Sequence, residues 1–118
     1  KGTHVYHIVR MQVKILARGA QLVKVGGRVV YSTCSFNPVE NEAVVAEVLR
    51  RCKGSLRLVD VSEQLPLLKR APGLSTWKVM NKVGRFLDKW EDAHPSYRGK
   101  FERSLWPPPN VDELHLDR

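Results

Sequence analysis

The first hydrophobic pattern lies between residues 5 and 23. Apolar residues recur there at steps of three and four with basic residues between them, which predicts an amphipathic helix. The glycine pair at residues 26–27 ends it. The next run, residues 28–32, is short, β-branched and apolar at both odd and even positions. This pattern predicts a strand that is buried on both faces in a mostly parallel sheet. The apolar positions of the helix are Ile8, Met11, Ile15, Leu16, Leu22 and Val23.

A second helix is predicted to begin near residue 37. Asn37 can serve as the N-cap, with Pro38 at the first helical position and Glu40 at the third, an arrangement of the capping-box type. Apolar residues at helical spacing continue the pattern to Cys52 and Gly54. The order helix, strand, helix over residues 1–54 predicts an α/β unit. The predicted buried stripe is Val44, Val45, Val48 and Leu49.

Residues 55–118 are predicted to form an irregular α+β extension of the same domain. Residues 56–61 alternate weakly, as a strand does, and residues 77–80 and 85–87 predict a hairpin around a turn at 81–84. No period is sustained beyond residue 88. Loops or extended spacers are indicated at Pro66, at Pro72 and at Pro107–Pro109.

Composition narrows the class of protein. With 118 residues, 42% hydrophobic and 27% charged, the chain is one globular domain or a piece of one. It contains no apolar run of about 18 residues and no signal-peptide core, so we expect an intracellular protein without a membrane partner. The absence of a starting methionine suggests a segment of a longer protein.

The net charge of +8 is distributed unevenly. Residues 1–36 carry six basic residues and no acidic one, a balance that suits a polyanion such as nucleic acid. Lys14, Arg18 and Arg28 are the candidate phosphate contacts. The alternative is an ordinary solvated helix face, and charge alone does not decide between the two.

Cys34 is the main candidate for chemistry. It follows a predicted buried strand, where ligand crevices open in α/β sheets, and the positive end of the next helix favours a thiolate. The alternative is an inert, buried cysteine. Two cysteines are too few for a disulfide scaffold, Cys52 is expected to be a packing or surface thiol, and a redox or metal role would need the two sulfurs close together. His4 and His7 are spaced like metal ligands but lack a third ligand nearby in sequence, so no metal is expected.

The run GGRVVYSTCSFNPVENE, residues 26–42, resembles the catalytic motif of the RNA (cytosine-5) methyltransferases of the Sun and nucleolar-protein group. That motif is a strand ending in Ser/Thr-Cys-Ser followed by Asn-Pro-x-Glu-x-Glu. The preceding helix, with Gln12, is similar as well. Further stretches resemble the eukaryotic tRNA-methylating branch, at residues 65–73, 76–80 and 105–108.

The resemblance implies the C-terminal part of a Rossmann-like domain that depends on S-adenosylmethionine. In that family a thiolate, here Cys34, adds to C6 of cytosine so that C5 can accept a methyl group. The target base must leave any stack, which suits tRNA loops and junctions. Thr33 could contact such a flipped base. The family implies a nuclear or nucleolar protein, with the cytoplasm as a further option.

The chain departs from the family pattern by lacking the Gly-rich turn and acidic residues that hold S-adenosylmethionine and the Asp-x-Pro-Cys motif. We therefore expect the isolated chain to be inactive. The strand at residues 28–32 would lose its sheet neighbours, so we expect it to pair with a second copy, to swap elements, or to lie beside residues 56–61 or 77–80. The rival function is a non-catalytic RNA-binding or protein-interaction module. Ser35 and Asn37 could also contact a flipped base, but turn and capping roles explain them equally well, and capping is favoured for Asn37. The tryptophans could stack on bases, but lone aromatic residues are more often core or anchor residues.

Overall fold

A computed structural model of the protein describes residues 2–81, 83–99 and 102–108. Two helices, α1 (Gly2–Leu22) and α2 (Glu42–Cys52), pack against each other, and two short strands, β1 (Val79–Met80) and β2 (Phe86–Leu87), form an antiparallel pair. No helix in these ranges is long and apolar enough to cross a membrane. Short 3₁₀ turns occupy Ser62–Gln64, Trp90–Asp92, Pro95–Tyr97 and Arg103–Leu105.

The first predicted helix is confirmed, and α1 begins three residues before the predicted start. Its buried residues are Tyr6, Val9 and Val13, which are spaced i, i+3, i+7 and enter the core. The opposite face is also apolar but exposed, which shows that α1 carries two apolar stripes and buries only one of them here. The exposed stripe contains Ile8, Met11 and Ile15.

The second predicted helix exists, but its predicted start at Asn37 is wrong. Residues 38–41 form a turn, and α2 begins only at Glu42. Asn37 Oδ1 accepts from the amide of Val39 at 3.1 Å, so the side chain does cap a turn, but one that precedes the helix. The predicted buried stripe is largely confirmed, since the buried residues of α2 are Ala43, Val44, Glu47, Val48 and Leu49.

The predicted buried strand at residues 28–32 is wrong. This segment is extended without strand pairing, and Val30 is 88% exposed. A strand is defined by ladder partners, and within the described residues the only sheet is the β1–β2 pair. Pairing with residues 56–61 or 77–80 is therefore also wrong: residues 56–61 form no strand, and β1 pairs with β2. Pairing between two copies of the chain stays a prediction.

The predicted hairpin is confirmed. Val79 lies opposite Leu87 and Met80 opposite Phe86, and Asn81 Oδ1 accepts from the amides of residues 83 and 85 across the turn. Gly84 has φ of 83°, a left-handed conformation that glycine adopts without strain.

Side-chain hydrogen bonds hold parts of the second half of the chain to one another and to α1. Trp77 Nε1 donates to the carbonyl of Leu105 at 2.7 Å, and Trp106 Nε1 donates to the carbonyl of Leu87 at 3.1 Å. Both tryptophans are buried, which confirms their packing role. The Tyr6 hydroxyl donates to the carbonyl of Met80 and so ties α1 to β1. Of the predicted proline spacer, Pro109 lies outside the described residues.

Glu47 on α2 is buried and charged. Burial by itself would raise the pKa of its carboxyl, but the hydrogen bonds and positive charges of Arg50 and Arg51 together lower this pKa below the ordinary value. A lowered folded-state pKa stabilises the fold above the unfolded value of about 4.3, and the stabilisation is lost as the pH falls through the folded-state pKa.

We therefore expect Glu47→Gln to reduce the free energy of unfolding at pH 7 by about 1 to 3 kcal/mol. The variant should also lose part of the acid dependence below about pH 4.3, because its amide does not titrate. Urea unfolding across pH measures both effects. Glu63→Gln, at an exposed position, is the control. Equal acid profiles for Glu47→Gln and the unmodified chain would contradict the assignment.

Candidate functional site

Side chains around Cys34 alternate between exposed and half-buried, and the backbone bends at Cys34 itself. Ser32, Cys34 and Phe36 are exposed, and Phe36 is fully so at 105%, whereas Tyr31 and Thr33 are half-buried. The half-buried residues anchor the segment, and the intervening ones face outward. Cys34 thus lies on the outward face of an anchored loop. We call residues 31–41 the cysteine loop.

Asn41 closes this loop from the inside. Its Oδ1 accepts from the Thr33 hydroxyl at 2.6 Å, and its Nδ2 donates to the carbonyls of Ser35 at 2.8 Å and Asn37 at 2.9 Å. The Thr33 hydroxyl in turn accepts from the amide of Ser35 at 3.2 Å. One amide side chain therefore holds the Thr33 side chain before Cys34 and the backbone after it.

Glu40 provides the second set of contacts. Its carboxylate accepts from the Ser35 hydroxyl at 2.8 Å and from Gln12 Nε2 on α1 at 3.3 Å. Its carbonyl accepts from the Tyr31 hydroxyl at 2.6 Å. Burial and the nearby Glu40 carboxylate raise the pKa of Tyr31, which keeps that hydroxyl protonated as a donor. The cysteine loop is thereby joined to α1.

Cys34 is an exposed free thiol within this framework. The expectation that a helix N-terminus directly follows it is not met, because α2 begins at Glu42 rather than near Asn37. The helix dipole acts over about the first turn, so it no longer supports a thiolate at Cys34. What favours Cys34 as a nucleophile is exposure on a rigid support.

The basic residues predicted to contact nucleic acid are not part of the cysteine loop. Lys14, Arg18 and Arg28 are exposed, and none of them takes part in the hydrogen bonds of the cysteine loop described above. Arg18 donates to Gln21 Oε1 at 3.1 Å on the same helix. The Thr33 hydroxyl has a structural role in the loop, and its contact with a base stays a prediction.

Cys52 and the described histidines were the other candidates for redox or metal chemistry. Cys52 is a free, half-buried thiol that closes α2 and packs against the core, as expected of a packing residue. His7 is exposed, and the side chain of His4 lies outside the described part of the structure. Among the described residues, no group of three His, Cys, Asp or Glu is placed to hold a metal ion.

A cavity of about 710 Å³ lies between the N-terminal half of α2 and residues 58–75. Its two acidic side chains already have backbone partners: Glu42 accepts from the amide of Leu74 at 3.1 Å, and Asp60 accepts from the amide of Ser62 at 2.8 Å. Cys34 is not among its lining residues. Tyr31 and Asn41 of the cysteine loop do line it, so the cavity adjoins the loop but is not lined by the thiol.

Four residues that sequence reasoning did not place at the site build the cysteine loop: Gln12, Tyr31, Glu40 and Asn41. The sequence pattern assigns Glu40 to a capping box and not to the site. The available signal was the density of polar residues between positions 32 and 42, which exceeds what one helix start requires.

Asn41→Ala should destabilise the fold by about 1 to 3 kcal/mol, because it removes the three hydrogen bonds that this half-buried side chain makes with Thr33, Ser35 and Asn37. Asn41→Asp should also destabilise, since it keeps the acceptor for Thr33 but loses both donors. Urea unfolding measures the effect, with Ser32→Ala at an exposed position as control. An Asn41→Ala variant as stable as Ser32→Ala would show that the loop is not held in this way.

Comparison with known proteins supplies a family. The family model described as 16S rRNA methyltransferase RsmB/F matches residues 1–93. A multisite-specific tRNA:(cytosine-C(5))-methyltransferase of Schizosaccharomyces pombe is 48% identical over 112 residues, covering 92% of this chain and 16% of that protein. A tRNA (cytosine(34)-C(5))-methyltransferase of Drosophila melanogaster is 39% identical over 110 residues, covering 92% of this chain and 15% of that protein.

A third relative, a multisite-specific tRNA:(cytosine-C(5))-methyltransferase of Saccharomyces cerevisiae, is 53% identical over 72 residues, covering 61% of this chain and 10% of that protein. No solved structure shows significant similarity to the chain. The chain spans less than a fifth of the length of each of these relatives.

Proposed function

Because the chain belongs to the family described as 16S rRNA methyltransferase RsmB/F, we propose that it forms the nucleophile-bearing part of an RNA (cytosine-5) methyltransferase that acts on tRNA. The names of the three relatives support tRNA as the substrate class. The observation that carries the proposal is the exposed thiol of Cys34 in a loop held by Asn41 and Glu40.

The family implies a covalent mechanism, and an exposed thiol on a hydrogen-bonded loop suits it. As a thiolate, Cys34 adds to C6 of cytosine, which turns C5 into an enamine-like carbon able to accept a methyl group. Loss of the C5 proton then expels the thiolate and restores the aromatic base. The hydrogen bonds of Thr33 before Cys34 and of Ser35 after it restrict the position of the sulfur, and this lowers the entropic cost of the attack.

S-adenosylmethionine supplies the methyl group in this class of enzyme, but the described residues do not fit it. The adjacent glycines Gly26 and Gly27 follow the C-terminus of α1, whereas a nucleotide-binding glycine turn precedes a helix. The cavity beside α2 lacks Cys34 and has its carboxylates engaged by backbone amides. We infer that the methyl donor is held by residues outside this chain, and that the chain alone is inactive.

The proposed domain organisation is one domain with two parts. Residues 1–54 carry the cysteine loop between α1 and α2, and residues 55–118 are the extension. The hydrogen bond from the Tyr6 hydroxyl to the carbonyl of Met80 supports this organisation, because it joins α1 to the hairpin, and the core contains residues of both parts. The family supports a Rossmann-like parent fold, in which residues 28–32 would find strand neighbours. A nuclear or nucleolar location, or a cytoplasmic one, is part of the same proposal.

The proposal is tested by methyl transfer from labelled S-adenosylmethionine to tRNA, with nucleoside analysis of the product. The full-length protein that contains this chain should form 5-methylcytidine. The rival function, a non-catalytic RNA-binding or interaction module, predicts tRNA binding with no methylated product. Binding without methylation under conditions in which a relative is active would decide for the rival.

A further inference from the structure

A cleft of about 740 Å³ separates the C-terminal half of α2 from residues 90–108. We call it the arginine cleft, because two arginines from α2 and two from the later segment line it, together with two glutamates. Four guanidinium groups against two carboxylates leave an excess of positive charge. The four arginines are Arg50, Arg51, Arg98 and Arg103.

The two arginines of α2 carry more positive charge than their one carboxylate partner neutralises. Both pair with one buried carboxylate: Arg50 donates twice to Glu47, at 2.7 and 2.9 Å, and Arg51 donates at 2.7 Å. The side chains of Arg50 and Arg51 remain 64% and 47% exposed. Glu47 thus orients two guanidinium groups toward solvent and neutralises only one of the two charges.

The other wall of the cleft is built on an aromatic ring. The guanidinium carbons of Arg98 and Arg103 lie 5.3 and 4.2 Å from the centre of the Trp90 ring. Arg98 donates to the carbonyls of Glu91 and Ala93, at 2.8 and 3.1 Å. These contacts hold Arg98 without a carboxylate partner among them, so they leave its charge unneutralised.

The two carboxylates nearest this wall remove little of the excess. Glu102 pairs with Arg10 of α1 at 3.1 Å, so its charge is matched by a cation that does not line the cleft. Glu91 lies 3.5 Å from Arg103, in a pair whose side chains are 71% and 52% exposed and which water and salt screen.

We propose that the arginine cleft binds the sugar-phosphate backbone of the RNA substrate, at a second contact distinct from the cysteine loop. The choice of RNA rests on the proposed function. The chemistry agrees with it, because fixed guanidinium groups bind phosphate oxygens in a bidentate manner and arginines stacked on tryptophan are preoriented. A concave cleft also fits a single RNA strand better than it fits a flat membrane surface. The basic residues of the first third, Lys14, Arg18 and Arg28, do not line it.

The test is binding of a fluorescein-labelled single-stranded oligouridine to the chain, followed by anisotropy at several salt concentrations. The double variant Arg51→Gln, Arg103→Gln leaves Glu47 paired with Arg50 and keeps Arg98 on Trp90. Each lost phosphate contact lowers the salt slope by about 0.7, so two lower it by about 1.4 and weaken binding about 25-fold at about 0.1 M salt. The matched control is Arg57→Gln, Arg85→Gln, at exposed arginines outside the cleft. Circular dichroism confirms folding.

A control variant that weakens binding as much as the cleft variant would overturn the proposal, because the affinity would then reflect diffuse charge. Binding to anionic phosphatidylserine vesicles but not to oligouridine would also overturn it, in favour of a membrane. In the full-length protein the cleft variant should raise KM for tRNA with kcat retained. Methylation with an unchanged KM would reject the cleft and leave the proposed function intact. Weakened RNA binding in a protein that methylates nothing would reject the proposed function alone.

Discussion

Replacing Cys34 with alanine is expected to abolish methyl transfer by the full-length protein. Removal of a covalent nucleophile closes the route through the C6 adduct, and nucleophile substitutions lower kcat by about 10⁴-fold or more. Cys34→Ser should be similarly inactive, because an alcohol is far less ionised than a thiol at neutral pH. The loss should appear in kcat, while tRNA binding is retained.

The matched control is Cys52→Ala, which removes the other thiol of the chain from the end of α2. It should keep most of the activity, since Cys52 packs against the core and is not part of the cysteine loop. Rates are measured as 5-methylcytidine formed per enzyme under single-turnover conditions. A Cys34→Ala enzyme within tenfold of the unmodified one would contradict the assignment.

Trp106→Ala should produce the largest loss of stability, about 3 to 5 kcal/mol. Trp106 is buried, fills the core between the hairpin and the later residues, and donates to the carbonyl of Leu87. Against a total of about 5 to 15 kcal/mol for a natural domain, such a loss unfolds much of the population. Trp106→Phe keeps most of the volume and should cost less, mainly the hydrogen bond.

Phe36→Ala is the control for this series, because it also removes an aromatic ring but from a fully exposed position. It should change the free energy of unfolding by less than about 0.5 kcal/mol. Urea unfolding followed by circular dichroism compares the variants. Equal losses for Phe36→Ala and Trp106→Ala would mean that the core is not built around Trp106.

The sequence correctly predicted those elements that depend on residues close together in the chain. The helical spacing of apolar residues in α1 and the turn of the β1–β2 hairpin are determined by neighbouring residues. Both elements are present in the structure. The strand at residues 28–32 was predicted wrongly because a strand needs a distant partner, which the described residues do not supply. The start of α2 was misplaced because the Asn41 amide serves the cysteine loop instead of a conventional cap.

The same distinction applies to the functional surfaces. Cys34 could be singled out because its motif is contiguous in sequence. The arginine cleft could not, because residues 37–54 carry equal numbers of basic and acidic residues and the later segment nearly so. Only the fold brings Arg50 and Arg51 opposite Arg98 and Arg103. Burial of Glu47 then orients the two arginines of α2 toward the cleft, a role that a list of charges does not reveal.

Covalent trapping tests the central claim most directly. In tRNA that contains 5-azacytidine, C5 is replaced by nitrogen, so no C5 proton is available for the elimination step and the thiol adduct at C6 persists. The full-length protein should become crosslinked, and mass spectrometry of its peptides should place the nucleotide on Cys34, with the adduct lost in Cys34→Ala and kept in Cys52→Ala. A crosslink on another residue, in a protein that methylates tRNA, would contradict the account.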